Sequence, residues 1–165
     1  MRIGVISDTH MNGPSRSFLE ALRAVFDGVE MVLHCGDWVC PAVWDMLEGE
    51  GWELVGVAGN MDAMEIHRSL PASRRVHVGD KVIGLVHGWG SPQGIEKRVA
   101  GAFEDVQGVV FGHSHRPHWG LLGGVWLFNP GPACGWGSPM GPTVGVLEIG
   151  DQDRGDILPL KLGRG

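Results

Sequence analysis

Cysteine is scarce in this sequence. Cys35, Cys40 and Cys134 form an odd set with no repeated spacing, which excludes a disulfide framework and points to a reducing compartment. Basic residues are also in short supply, 13 Lys and Arg against 19 Asp and Glu, giving a net charge of −6. Phosphate-backbone binding wants a basic face, so extended nucleic acid is not an expected partner. No apolar run approaches the roughly 18 residues of a membrane span, so no membrane partner is expected. Met1–Ser7 has no signal-peptide core, and Asp8 and His10 follow it at once; the expectation is a cytoplasmic protein. No internal repeat and no shift of composition divides the chain, and its 165 residues suit one domain, 1–165.

Glycine, by contrast, is abundant. There are 28, where a usual share would give roughly 12. The excess is not periodic, and many glycines end apolar runs: Gly36, Gly56, Gly59, Gly84, Gly88 and Gly112. That pattern suits short strands joined by tight, functional loops. Arg2–Ser7, Glu30–His34 and Trp52–Ala58 read as strands. A helix opening on a Ser17–Glu20 capping box separates the first two, and one starting at Pro41 separates the next two. This βαβαβ order predicts a parallel sheet. Hairpins follow at Arg74–Val86, turning on Gly79-Asp80, and at His118–Phe128, turning on Gly123-Gly124. Ser91-Pro92 predicts the start of a helix to about Phe103. Val106–Phe111, Thr143–Ile149 and, at an edge, Asp156–Leu162 complete the strands. Two sheets with outer helices is the simplest assembly. The Pro- and Gly-rich loop Asn129–Pro142, with Trp136 and Met140, is long enough to suggest a substrate lip or a subunit contact, and a homodimer would form through it or through an edge strand.

The chemistry gathers at strand ends. Asp8 and His10 follow the first strand, Asp37 the second and Asn60 the third; His87 follows the hairpin strand, and His113 and His115 follow Val109-Val110-Phe111. Sites in open α/β sheets lie beyond the carboxyl ends of strands, so these residues can converge. In extended backbone, residues i and i+2 point the same way, which pairs Asp8 with His10 and His113 with His115. Imidazole and carboxylate suit Mn²⁺, Fe, Zn²⁺, Ni²⁺ or Co²⁺. Seven donors exceed the three or four of one tetrahedral zinc and fit two ions if a carboxylate bridges them. Such a pair clamps a phosphoryl group and supplies a metal-bound hydroxide near neutral pH.

Asp8-Thr9-His10, Gly36-Asp37, Gly59-Asn60-Met61-Asp62, His87-Gly88, Gly112-His113-Ser114-His115 and Asn129-Pro130-Gly131, in this order, resemble the calcineurin-like metallophosphoesterase superfamily. More narrowly, the chain resembles the small bacterial and archaeal phosphodiesterase branch. The resemblance implies an α/β fold, a four-layer α/β/β/α sandwich of two mixed sheets flanked by helices. It also implies a dinuclear centre: Asp8, His10 and His115 on one ion, Asn60, His87 and His113 on the other, Asp37 bridging. Asp37, Asn60 and His87 would position hydroxide and phosphate, the substrate being a small phosphodiester and the ions Mn²⁺ by preference. Many relatives carry a proton-donating His where this chain has Met61, so acidic leaving groups such as aryl esters are expected. Asp62 is expected to hydrogen-bond its turn. His34 reads as a core or supporting residue, Cys35 and Cys40 as packing, and His67, His77 and His118 as surface or loop residues. Trp38 and Trp89 read as lining the mouth for a nucleobase or an aryl group, or as shielding the metals. One relative, a retromer scaffold subunit, binds proteins without catalysis, so a scaffold is an alternative function. A phosphomonoesterase or nuclease is another.

Overall fold

The computed structural model describes residues 1–162; the last three residues of the expected 1–165 domain lie outside the described residues. The elements are β1 (Arg2–Ile6), α1 (Arg16–Val25), β2 (Met31–His34), α2 (Pro41–Glu48), β3 (Glu53–Gly56), α3 (Met64–Ser69), β4 (Ser73–Val78), β5 (Lys81–Val86), α4 (Ile95–Ala100), β6 (Gly108–Val110), β7 (His118–Leu122), β8 (Val125–Asn129), β9 (Thr143–Glu148) and β10 (Arg154–Pro159). One sheet has the order β10-β9-β1-β2-β3, the other β4-β5-β6-β8-β7. In the first, β1, β2 and β3 are parallel, and β9 runs antiparallel to β1 and to β10. In the second, β5, β6 and β8 are parallel, flanked by antiparallel β4 and β7.

Alternation along the strands builds the layers. Ile3, Val5, Met31 and Leu33 of the first sheet meet Ile83, Leu85 and Phe128 of the second in one buried cluster. Ile6 and Val32 face the other way, against Phe18 and Leu22 of α1 and Val43 and Leu47 of α2. On the far side, Val86, Val109 and Leu127 pack on Ile95 and Val99 of α4. Three cores between helices, sheet, sheet and helix make the four-layer sandwich that the family resemblance implied.

Several boundaries differ from expectation. Ser15, not Ser17, caps α1: it is the last extended residue, and its Oγ accepts from the Phe18 N–H at 3.3 Å. Glu20 pairs instead with Arg16 on the same helix face. α4 begins at Ile95 rather than Pro92, after a left-handed Gly94. Arg98 donates to the carbonyls of Trp89, Ser91 and Gln93, holding that stretch as a turn rather than a helix. β3 and β6 are shorter than expected, and edge strand β10 starts two residues earlier. The short helix α3 had no sequence signal.

Candidate metal centre

The carboxyl ends of β1, β2, β3, β5 and β6 all point to one place, and each delivers a loop there. The seven side chains of the sequence reading meet in that crevice. On one side, His115 Nε2 lies 3.2 Å from Asp8 Oδ1 and 3.3 Å from His10 Nε2. On the other, Asn60 Oδ1 lies 3.1 Å from His87 Nε2 and 2.9 Å from His113 Nδ1. Between them, Asp37 Oδ2 is 3.6 Å from His10 Nε2 and 3.4 Å from His87 Nε2. Two groups could hold a metal ion: Asp8, His10 and His115, and Asp8, Asp37 and His87, with donor atoms within 4.8 Å of one another in each.

The convergence does not come from strand alternation. Asp8, His10, Asp37, His113 and His115 have positive φ, from 45° to 65°. Non-glycine residues seldom adopt this conformation, although Asp and His tolerate it better than most. It persists only where surrounding bonds fix it. Here Asp8 N–H donates to Gly36 O and His10 N–H to Asp37 O, both at 3.1 Å. The pairing expected from i, i+2 spacing is therefore corrected in part: Asp8 and His10 share one side, but His113 and His115 diverge, one to each side. Gly59 shows how tightly the loops pack. A Cβ there would lie 2.2 Å from Asp37 Oδ1, so any larger residue displaces the carboxylate.

An outer ring of acceptors orients the imidazoles. His87 Nδ1 donates to Cys35 O at 2.7 Å, His115 Nδ1 to Trp136 O at 2.7 Å, and His113 Nε2 to Gly90 O at 2.8 Å. A carbonyl only accepts, so each outer nitrogen carries the proton and each inner one presents a lone pair. Asp8 Oδ2 accepts from Ser7 Oγ and His113 N–H, while Asp8 Oδ1 is buried with no hydrogen bond among the described residues. An orphaned carboxylate oxygen among inward lone pairs is costly without a cation, and the donor set fits divalent metal. Asp62 spans two loops, accepting from Gly59 N–H at 2.7 Å, Val39 N–H at 2.7 Å and Asp37 N–H at 3.2 Å. It holds its own turn, as expected, and the Asp37 loop as well.

Electrostatics follow the geometry. Burial would raise the Asp37 carboxyl, but His87 and the Met61 N–H outweigh it and hold it below the usual range. Burial would lower His87, and Asp37 and Asp8 outweigh that to raise it. His115 is raised, chiefly by Asp8. His34, fully buried and stacked 3.4 Å from Trp38, is lowered well below the usual imidazole value, chiefly by burial. Burial likewise raises the Asp62 carboxyl and the Cys35 thiol.

Trp38 does not line the mouth. It is fully buried, its Nε1 donating to Val57 O, whereas Trp89 is 48% exposed beside Asn60 and His87. The Asn129–Pro142 loop is tied to the site: Ala133 and Cys134 N–H donate to the carbonyls of Ser7 and Asp8, and Trp136 O orients His115. Buried Asn129 bonds Gly112 O and Ser114 Oγ. The supporting carbonyls of Cys35, Gly90 and Trp136 were missed because a backbone acceptor leaves no residue-type signal.

Residues 1–152 match the calcineurin-like phosphoesterase superfamily domain, and the chain belongs to that family. It is 35% identical to a probable metallophosphoesterase of Methanothermobacter thermautotrophicus, over 99% of this chain and 94% of that protein. A phosphodiesterase of Methanocaldococcus jannaschii is 26% identical, over 96% and 99%. Among solved structures, a novel archaeal phosphodiesterase superposes with a TM-score of 0.72 at 26% identity, covering 96% of this chain and all of that one. Wild-type Vps29 of Entamoeba histolytica, complexed with Zn²⁺, superposes with a TM-score of 0.70 at 26% identity, covering 98% and 100%. The chain is thus a metallophosphoesterase homologue with candidate metal-binding residues, and none of its helices among the described residues is long and apolar enough to cross a membrane.

Proposed function

We propose that the chain, as one domain over residues 1–165, is a dinuclear-metal-dependent phosphodiesterase acting on small diesters, with Mn²⁺ as the preferred ion. The observation that carries this reading is Asp37: one oxygen, Oδ2, faces both His10 and His87, while Oδ1 is anchored by the Met61 N–H at 2.8 Å. That favours Asp37 as the bridge, with Asp8, His10 and His115 on one side and Asn60, His87 and His113 on the other. Asp8 also belongs to both candidate groups, but its Oδ1 lies nearest His115, at 3.2 Å, and its Oδ2 accepts from Ser7 Oγ and the His113 N–H. Two divalent ions in such a site supply Lewis acidity, activating water at neutral pH and offsetting charge on the phosphoryl oxygens. The protein's part is orientation. Its imidazole tautomers are fixed by backbone carbonyls, its carboxylates by N–H groups, and neutral Asn60 adds a donor without repelling a phosphate.

A protein-binding scaffold is a second reading, favoured by the likeness to Vps29. Since that Vps29 was solved with Zn²⁺, metal uptake alone does not separate the readings, whereas turnover does. The test is hydrolysis of bis(p-nitrophenyl) phosphate beside p-nitrophenyl phosphate with added Mn²⁺. Faster diester cleavage is expected; no turnover of either ester favours the scaffold.

A further inference from the structure

Two cavities flank the centre, and Asn60 lines both. One, of about 440 Å³, holds His10, Asp37, Met61, Arg116 and Trp136. The other, of about 370 Å³, leads from Asn60 and His87 to Trp89 and His67. Its walls are small and mainly apolar: Ala58 after β3, Ala72 after α3 and Ala102 after α4. The volume lies in the range of small-molecule pockets.

Trp89 stands apart from the other six tryptophans. Each of those packs against another aromatic ring, whereas the Trp89 indole has no ring partner among the described residues. Its backbone is nonetheless held: Gly88 turns the chain at φ +101°, and Arg98 Nε donates to the Trp89 carbonyl at 3.1 Å. The ring is anchored at its root and unengaged by other rings, beside the donors proposed to position phosphate.

Building on the phosphoesterase reading, we infer that this cavity receives the planar ring of one ester group, a nucleobase, stacked on Trp89 with the His67 imidazole as a polar contact. The substrate class is then a nucleotide ester rather than a simple alkyl diester. Stacking on indole uses the π-face common to every base and gives affinity without demanding one base.

The test is calorimetric titration of the Mn²⁺-loaded protein with adenosine 5′-monophosphate and ribose 5-phosphate, which differ only in the base. The nucleotide is expected to bind about tenfold tighter or more, within the range for stacking one base. Trp89→Ala is expected to close that gap and Trp89→Phe to keep most of it. Equal affinities in the unmodified protein, or a gap that survives Trp89→Ala, overturn the inference. Turnover of bis(p-nitrophenyl) phosphate in the same samples separates the two readings. A base-dependent gap without turnover contradicts the hydrolase reading alone, and turnover without a gap contradicts this subsite alone.

Discussion

Asp37 and His87 meet at 3.4 Å although they belong to different sheets, Asp37 following β2 and His87 following β5. The contact lies where the two sheets open at their carboxyl ends, and both side chains are nearly fully buried. It makes the crevice a joint property of the two sheets.

Asp37→Ala removes the oxygen that faces both His10 and His87. Turnover of bis(p-nitrophenyl) phosphate is expected to fall by more than about 100-fold, the upper figure for losing only an outer-shell partner. Steady-state rates with saturating Mn²⁺ check this, and near-normal activity refutes the bridging role.

Asp62→Ala leaves the N–H groups of Gly59, Val39 and Asp37 without their acceptor. Val39 is β-branched at φ 73°, a conformation that needs external support. A loss of about 2–3 kcal/mol is expected, as for bonds to a charged group. Activity should fall roughly 10–100-fold through the misplaced Asp37 loop. Urea midpoints and rates report both, and an unchanged midpoint contradicts the role given to Asp62.

Met61 is 58% exposed and lines the cavity beside Asp37 and His113, where a thioether cannot protonate a leaving group. Aryl diesters are therefore expected to be cleaved much faster than alkyl ones. Met61→His should raise the alkyl rate, by roughly 10²-fold for a working general acid, and change the aryl rate far less. Equal aryl and alkyl rates in the unmodified enzyme contradict this account.

His34 predicts a pH effect on stability. Its folded-state pKa is depressed by burial, so below the ordinary value of about 6.5 the unfolded chain takes up a proton that the folded chain refuses. Stability from this residue is full above that pH and lost as pH falls, by up to ~1.4 kcal/mol per unit. His87 and His115, raised in the folded state, act with the opposite sign, so the comparison is made against His34→Asn, which keeps both. Denaturation of metal-free protein one unit above and one unit below pH ~6.5 should show the variant losing less stability on acidification. An identical acid loss in both proteins contradicts this.

The succession of strands along the chain, both hairpins with their two-residue turns and the gathering of donors at strand ends were legible because apolar runs ending in Gly plus a polar donor are local signals. The left-handed backbone at Asp8, His10, Asp37, His113 and His115 was not, since only glycine advertises positive φ. For the same reason the i, i+2 rule misdirected His113 and His115. Ser15 displaced Ser17 as the cap because the backbone, not the capping-box pattern, decides which residue is the last extended one. A place at the mouth, one of two readings open for Trp38 beside Asp37, is excluded by tertiary packing, which buries it against His34 and Trp44.

The most direct measurement is the metal content of the purified protein after equilibration with Mn²⁺ and removal of free ion. The account predicts about two ions per chain, as a two-metal site requires, and fewer in Asp37→Ala. A folded protein that retains no divalent ion, or holds no more than one, contradicts it.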